Sequence, residues 1–282
     1  MKIGVIGTGN MGKIVIEAFI DGKAISPSSL IITNRTISKA IAIQELYPDI
    51  IVVNSADEVA KEADLLLLCV KPGNMSDVIQ QIHPFLTKDK CVVSITSPIS
   101  VTLLESHLPC STARAIPSIT NRALAGVSLL TFSEKCEPHW EQNLSELFSR
   151  ISIPIVIDEN ITRVSSDIVS CGPAFFTYLT RRFIDAAVSE TNIDRKTATK
   201  MTSEMLIGLG SLLSKEFYTL ESLQEKVTVK GGVTGEGITV LENELGKVFE
   251  HLFQATHAKF AEDLKEVNTA FSRTEEHKSP RY

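Results

Sequence analysis

Three glycines near the start of the chain have the spacing of a phosphate-binding turn. The segment Gly7-Thr8-Gly9-Asn10-Met11-Gly12 follows the apolar run 3–6 and precedes a helical pattern. In such a turn the first glycine permits a tight bend, the second lets a pyrophosphate approach the backbone, and the third lets the helix press on the strand. Free N–H groups at the start of the helix then attract phosphate. The setting predicts a dinucleotide-binding site at residues 7–12, the alternative being a purely structural turn.

The choice of dinucleotide depends on the end of the second predicted strand, where the sequence reads Asn34-Arg35-Thr36. An acidic residue at this place binds the ribose hydroxyls of NAD. Here no carboxylate repels a 2′-phosphate, and a guanidinium with two short polar side chains is available to bind it. We therefore predict NADPH as the cofactor, with NADH possible. The alternative is that Arg35 is only a solvated loop charge.

A second polar segment, Val70-Lys71-Pro72, ends the fourth predicted strand. Ligands of open α/β sheets bind outside the carboxyl ends of the strands. We therefore expect Lys71 and the rigid turn at Pro72 to lie near the ribose or the nicotinamide of the cofactor.

Short apolar strands alternate with helical patterns through the first half of the chain. Strands that are apolar throughout are typical of a parallel sheet covered on both faces. The pattern predicts an α/β fold: an N-terminal Rossmann-type doubly wound sheet followed by an all-α dimerisation domain. The predicted strands are 2–6, 30–33, 50–53, 65–70, 91–95, 113–116, 127–132 and 154–157, with helices at 11–19, 38–46, 56–61 and 75–85.

In the second half of the chain, apolar residues recur three and four positions apart, which predicts helices. One begins at Pro173, a second follows Asp194, a third covers 220–228, and the last runs over about 236–264. The last would be a rod of roughly 40 Å. We expect it to pack against a second copy in a two-fold homodimer, the alternative being that it lies across its own N-terminal domain. The methionines of the second helix are expected to fill the core.

These patterns predict a dinucleotide-binding domain at 1–158, a helical dimerisation and substrate domain at 159–270, and a disordered tail at 271–282. The chain has 282 residues and a net charge of −6, which favours neither a nucleic acid nor a membrane surface as partner. Its five cysteines form no C-x-x-C pair and its six histidines show no ligand spacing, so no metal is expected. We predict a cytoplasmic protein with reduced thiols.

Six motifs recur in an order and spacing that resembles the pyrroline-5-carboxylate reductases over about residues 1–265. The resemblance implies reduction of a cyclic imine carboxylate to proline with NADPH or NADH, and assembly as dimers or rings of dimers. The motifs are the glycine turn, Asn34-Arg35, Val70-Lys71-Pro72, Arg114-Ala115-Ile116-Pro117, Cys171-Gly172-Pro173-Ala174-Phe175 and Gly231-Gly232-Val233-Thr234.

The sequence departs from this family in the substrate region. The family pattern Ser-Gly-Ser-Gly-Pro-Ala-Tyr reads Val169-Ser170-Cys171-Gly172-Pro173-Ala174-Phe175, and Ser-Pro-Gly-Gly-x-Thr reads Val229-Lys230-Gly231-Gly232-Val233-Thr234. Such changes resemble a divergent branch encoded in the competence operons of spore-forming bacteria.

The retained residues still permit imine reduction. Thr234 is the candidate donor to the imine nitrogen, directly or through water. Backbone N–H groups of Gly231, Gly232 and Val233 precede a helix and are candidates to bind a carboxylate. Lys230 either attracts that carboxylate or points to solvent, and Cys171 is a further candidate substrate contact.

Three functions stay open at this point. The first is an NADPH-dependent reductase of pyrroline-5-carboxylate or a related cyclic imino acid. The second is a reductase of the same class with an unknown substrate. The third is a non-catalytic, cofactor-binding regulator of competence, sporulation or biofilm formation.

Overall fold

The computed structural model describes residues 1–276, and its centre is one eight-stranded sheet with the order β3-β2-β1-β4-β5-β6-β7-β8. All neighbouring strands are parallel except β6 and β7. Every predicted strand is present, and the predicted fold class is confirmed. The strands are β1 (Ile3–Ile6), β2 (Leu30–Thr33), β3 (Ile51–Val52), β4 (Leu65–Leu68), β5 (Cys91–Ser94), β6 (Ser111–Ile116), β7 (Val127–Phe132) and β8 (Ile153–Val156).

The central strands are apolar because helices cover both faces of the sheet. All residues of β1, β2, β4 and β5 are buried. In the register of the sheet, Val5 of β1 lies between Ile32 of β2 and Leu67 of β4. The strand order reverses between β1 and β4, and ligands of such sheets bind at this switch point. The carboxyl ends of β1, β2 and β4 therefore meet where the glycine turn begins.

Seven α-helices connect and follow the strands of the sheet. Three of them, α5, α6 and α7, were not predicted. Helix α6 had a readable signal, since Pro138 stands at its first position and Trp140, Leu144 and Phe148 recur every four residues as its buried face. The helices are α1 (Asn10–Asp21), α2 (Ser38–Gln44), α3 (Ala56–Glu62), α4 (Met75–Ile82), α5 (Val101–His107), α6 (Pro138–Ser149) and α7 (Thr162–Ser166).

The chain continues through a π-helical segment and five further helices. Helix α9 follows Asp194 as predicted, and Asp194 caps it: its side chain accepts a hydrogen bond of 3.0 Å from the Thr197 amide. These elements are the π-helical segment Asp167–Cys171, α8 (Gly172–Glu190), α9 (Arg195–Ser214), α10 (Leu220–Val227), α11 (Val233–Glu244) and α12 (Val248–Glu276).

The chain forms two compact units. The first contains Met1–Pro173 together with the last helix from Gln254 onward, and the second is Ala174–Phe253. Compared with the predicted division at residue 158, the first unit extends further along the chain. It also includes part of the last helix, because apolar residues of that helix pack into the core of the first unit.

The predicted single helix at 236–264 is wrong. The chain breaks between α11 and α12, where Gly246 has a φ of +49° that favours glycine. Helix α12 is about 43 Å long, and its Val267 and Phe271 are buried beside Leu104 and Leu108. The alternative that the helix lies across its own N-terminal domain is therefore correct for the part from Gln254 onward.

The predicted disordered tail at 271–282 is also wrong at its start. Phe271 is buried, and its ring contacts the His107 ring with centroids 4.9 Å apart. The helix continues to Glu276, and residues 277–282 lie outside the described part of the chain.

Helices of the second unit present apolar side chains to solvent in the single chain. Phe176, Leu179 and Phe183 lie three and four residues apart on α8 and form an apolar stripe, yet Phe176 and Phe183 are 64% and 66% exposed. Met201 and Met205 of α9 are also exposed, so the prediction that they fill this chain's core is wrong. Within residues 1–276, every helix is too short or too polar to span a bilayer.

Candidate cofactor site

A cavity of about 530 Å³ lies at the carboxyl ends of β1, β2 and β4. It brings together three segments that the sequence singled out separately. The predicted site residues that line it are Gly7, Gly9, Asn34, Arg35, Thr36, Val70 and Lys71. We call it the nucleotide cavity.

The glycines of the turn serve different purposes. Gly7 has a φ of +104°, and a Cβ there would lie 2.5 Å from the carbonyl oxygen of Cys69. A Cβ on Gly12 would collide with the carbonyl oxygen of Gly7, so the fold itself requires glycine at both places. A Cβ on Gly9, in contrast, would meet no atom within 4 Å, because this residue faces open space. The space before Gly9 is the part of the turn that a ligand would occupy.

The glycine turn is tied to the end of β2 by two hydrogen bonds. The amide of Thr8 donates to Oδ1 of Asn34 at 2.9 Å, and the amide of Gly7 donates to the carbonyl of Thr33 at 2.9 Å. The buried hydroxyl of Thr8 has no hydrogen-bond partner among the described residues. Helix α1 begins after Gly9, which has no side chain to cap it, so its first amides are available to an anion. These features fit the pyrophosphate of a dinucleotide.

Five predicted cofactor residues do not line the nucleotide cavity. Thr8 and Gly12 are buried in the turn, where they support its shape. Asn10 is exposed, Met11 packs against the core, and Pro72 opens a short 3₁₀ turn after β4. Their direct contact with a cofactor stays a prediction.

The nucleotide cavity is lined by one more cationic side chain than the sequence alone indicated. Lys39 also lines it, four residues after Arg35 and in the first turn of α2. Arg35 lies before this helix, so no helical spacing in the sequence singled Lys39 out. Together with Lys71, three cations face one carboxylate, that of Asp77. This balance favours an anionic ligand.

Polar groups from two further segments complete the wall. They come from the loop after β3 and from α4 with its N-cap residue, and the sequence patterns did not single them out. Burial raises the pKa of the Cys69 thiol to about 12, so this lining residue stays neutral. The additional polar residues are Asn54, Ser55, Asn74, Asp77 and Gln81.

A larger cavity of about 650 Å³ lies elsewhere in the first unit, beside α5 and the end of β8. Its lining includes Glu105, Glu134, Glu141 and Glu159, with Lys135 as a cation. This excess of carboxylates would repel the phosphates of a dinucleotide. The nucleotide cavity is therefore the better candidate despite its smaller volume.

The predicted substrate contact Cys171 lies at the end of the π-helical segment in the first unit. Ser170 donates to the carbonyl of Pro117 at 2.9 Å, and Ser118 donates to the carbonyl of Val169 at 2.6 Å. These bonds hold the segment against the loop that follows β6. Burial raises the pKa of the Cys171 thiol, which keeps it protonated at neutral pH. The hydroxyl of Ser170, which stands where the resemblance implies glycine, thus has a structural partner.

The remaining predicted substrate residues form the turn before α11 in the second unit. Gly231 has a φ of +73°, and the amide of Gly232 donates to the carbonyl of Val229 at 2.9 Å. Gly232 is the N-cap of α11, and Lys230 and Thr234 are exposed on either side of it. Val229 and Val233 are 67% and 90% exposed. The turn therefore exposes backbone at a helix start, although the Gly232 amide is already bonded within the turn.

The fold and the nucleotide cavity together are those of the NAD(P)-binding oxidoreductase class. Residues 2–98 match the family model described as NADP oxidoreductase coenzyme F420-dependent, and residues 159–263 match that described as pyrroline-5-carboxylate reductase dimerisation. The chain belongs to the pyrroline-5-carboxylate reductase family.

Two relatives from Bacillus subtilis (strain 168) show the range of similarity. The chain is 52% identical to ComE operon protein 4, over 96% of this chain and 99% of that protein. It is 29% identical to pyrroline-5-carboxylate reductase 3, over 92% of this chain and 95% of that protein. The predicted resemblance to the family and to its competence-operon branch is confirmed.

Solved structures show the same fold. A Plasmodium falciparum pyrroline carboxylate reductase with NADP bound superposes with a TM-score of 0.80 at 19% identity, covering 95% of this chain and 98% of that chain. A pyrroline-5-carboxylate reductase from Coxiella burnetii gives 0.78 at 23% identity, covering 99% of both chains.

Proposed function

We propose that this protein is an NADPH-dependent reductase that converts pyrroline-5-carboxylate, or a related cyclic imino acid, to the saturated amino acid. The observation that carries the proposal is the nucleotide cavity, where an uncapped helix start and the Arg35 side chain border one space. Relatives named as pyrroline-5-carboxylate reductases at 25–29% identity support the substrate class.

Each part of the nucleotide cavity has a role in this proposal. The amides at the start of α1 bind the pyrophosphate, with Gly9 leaving the room for it. Arg35, Thr36 and Lys39 bind the 2′-phosphate, since a guanidinium and an ammonium pair well with phosphate oxygens. Lys71 binds on the ribose or nicotinamide side. When bound, the nicotinamide supplies the hydride for the C=N carbon.

The turn before α11 binds the substrate in this proposal. Amides of Gly231 and Val233 hold the carboxylate at the positive end of the α11 dipole, whereas the amide of Gly232, also predicted to bind it, already donates to the Val229 carbonyl. The Thr234 hydroxyl donates a hydrogen bond to the ring nitrogen, where the proton is needed as the C=N bond is reduced. Lys230 adds a positive charge that favours an acidic substrate.

We infer that the protein is a homodimer in the cytoplasm. The support is the exposed apolar stripe of α8 and α9, which in a single chain faces water. Large apolar patches of this kind are typical of protein interfaces. Assembly into a larger ring of dimers and the absence of nucleic acid and membrane partners stay predictions.

The test is an assay of purified protein with NADPH and pyrroline-5-carboxylate, followed at 340 nm. We expect the unaltered protein to oxidise NADPH. The rate should be at least tenfold lower in Thr234→Val, because the loss of a hydrogen bond to a charged group changes the free energy by an amount that corresponds to about that factor. Thr239→Val, further along α11, is the matched control. Binding of NADPH without turnover of this substrate would contradict the proposed activity.

A regulator is the second candidate, because the substrate turn lacks the hydroxyl that the reductase pattern has at Val229. The higher identity to ComE operon protein 4 than to the reductases accords with such a role. A regulator of competence, sporulation or biofilm formation would bind NADPH tightly and turn over nothing. A screen of imino and keto acids separates it from a reductase with another substrate.

A further inference from the structure

A buried carboxylate in the first unit has a guanidinium and a hydroxyl as partners. The side chain of Asp167 is fully buried in the π-helical segment. It accepts a hydrogen bond of 2.9 Å from Nη2 of Arg163 and one of 2.7 Å from Oγ1 of Thr256 in α12. The exposed His257 lies further away, at 3.9 Å. A buried charge must be paired in this way, so Asp167 and Arg163 hold each other in place.

The guanidinium of Arg163 also reaches the loop after β5 and the far end of the π-helical segment. Its Nη1 lies 3.4 Å from Oγ of Ser97, and its Nη2 lies 3.5 Å from Sγ of Cys171. The ring of Phe260 stacks near it, 5.5 Å from the centre of the guanidinium. A rigid, planar fork of donors is suited to joining several segments at once.

Ser97 lies in the loop that joins β5 to α5. It follows β5 by three residues, and β5 neighbours β4, whose end contributes Lys71 to the nucleotide cavity. Arg35 lies on the opposite flank, at the end of β2. Since a dinucleotide crosses the switch point from one flank to the other, the loop at 95–100 belongs to the nicotinamide flank when Arg35 binds the 2′-phosphate.

We propose that Asp167 and Arg163 are positioning residues that hold the 95–100 loop and Cys171 on the nicotinamide side of the site. Thr256 anchors the pair from α12. This inference rests on the proposed function, because it assigns the two flanks by the proposed orientation of the cofactor. Neither side chain needs to touch the cofactor.

The first measurement is amide hydrogen exchange of the free protein. Asp167→Asn removes the charge that orients Arg163, so we expect amides of residues 95–100 to exchange faster by a factor on the order of ten. Asp21→Asn is the matched control, since Asp21 pairs with Arg122 at the exposed, distal end of α1. It should leave the 95–100 loop unchanged.

The second measurement compares NADPH with 2′,5′-ADP, which contains only the adenine half of the cofactor. In Asp167→Asn we expect the NADPH affinity to fall by a factor on the order of ten while the 2′,5′-ADP affinity stays unchanged. A general loss of stability would lower both affinities together. Equal losses would therefore overturn the inference.

Arg163→Lys tests the same claim if Asp167→Asn does not fold. A lysine keeps the charge beside Asp167 but cannot reach Ser97 and Cys171 together, so the loop should again exchange faster. Unchanged exchange in the folded variants would overturn the inference. If the unaltered protein failed to bind NADPH, the proposed function would be wrong. Amide hydrogen exchange of the free protein would still decide whether Asp167 and Arg163 order the 95–100 loop.

Discussion

The side-chain carbonyl of Asn34 accepts a hydrogen bond of 2.9 Å from the backbone amide of Thr8. Asn34 also donates from Nδ2 to the carbonyl of Thr36 at 3.0 Å. One side chain therefore fixes both the glycine turn and the segment that carries Arg35. An amide suits this position because it has both an acceptor and a donor, and it adds no negative charge beside the predicted 2′-phosphate site.

Replacing Asn34 should weaken both nicotinamide cofactors alike. Asn34→Ala removes a hydrogen bond that holds the turn around the pyrophosphate, which NADPH and NADH share. A net hydrogen bond of about 1 kcal/mol corresponds to about a fivefold loss of affinity for each. Isothermal titration with both cofactors measures this. A loss confined to NADPH would contradict the supporting role of Asn34.

Reversing the charge of Arg35 should discriminate between the two cofactors. In Arg35→Asp the guanidinium is replaced by a carboxylate that repels a 2′-phosphate, so NADPH should bind about 10- to 150-fold more weakly. NADH lacks this phosphate and is the internal control, with an affinity that changes little. Equal effects on both cofactors would mean that the assignment of Arg35 is wrong.

Restoring a hydroxyl in the substrate turn should improve substrate binding. Val229 is largely exposed, so Val229→Ser costs little packing and adds a donor for a carboxylate. We expect KM for pyrroline-5-carboxylate to fall about tenfold or more, as for a hydrogen bond to a charged group. The exposed Val227 supplies the control Val227→Ser. If KM did not differ between the two variants, the turn would not bind the carboxylate.

A charge in the apolar stripe of α8 should separate the homodimer. Phe183→Glu places a carboxylate on a surface that we expect a second copy to cover, and an unpaired buried charge is costly. Light scattering after size exclusion should then report the mass of one chain. Leu46→Glu makes the same change at an exposed apolar residue of the first unit and should stay dimeric. A monomeric unaltered protein would refute the dimer.

The buried thiol of Cys110 should make the protein less stable in alkali. Burial raises the pKa of this thiol from 9.0 to about 12, so between these values the unfolded chain has lost a proton that the folded chain retains. The free energy of unfolding therefore falls with rising pH, by up to about 1.4 kcal/mol per pH unit for this group. Urea unfolding at pH 9 and 11 should show a smaller fall in Cys110→Ala. An unchanged fall would exclude this thiol as a cause.

Much of the nucleotide cavity could be predicted because its parts are encoded in consecutive residues. Gly7 and Gly12 are required by a local turn, and the apolar strands around them signal burial on both faces. The wall opposite them was missed in part. Lys39 belongs to a helix whose own pattern does not indicate the cavity, and Asn54 lies in the loop after a strand of only two residues.

The sequence by itself determined the strands of the sheet, the first four helices, the glycine turn and the cationic segment at Arg35, since each depends on neighbouring residues and on backbone geometry. Only the tertiary structure decided that Phe271 of the last helix packs beside His107, and that Asp167 joins Arg163 to Thr256. Such contacts depend on how distant segments fill the space around a common core. No local pattern encodes that choice, because the same apolar face of a helix can be buried by its own chain or by another.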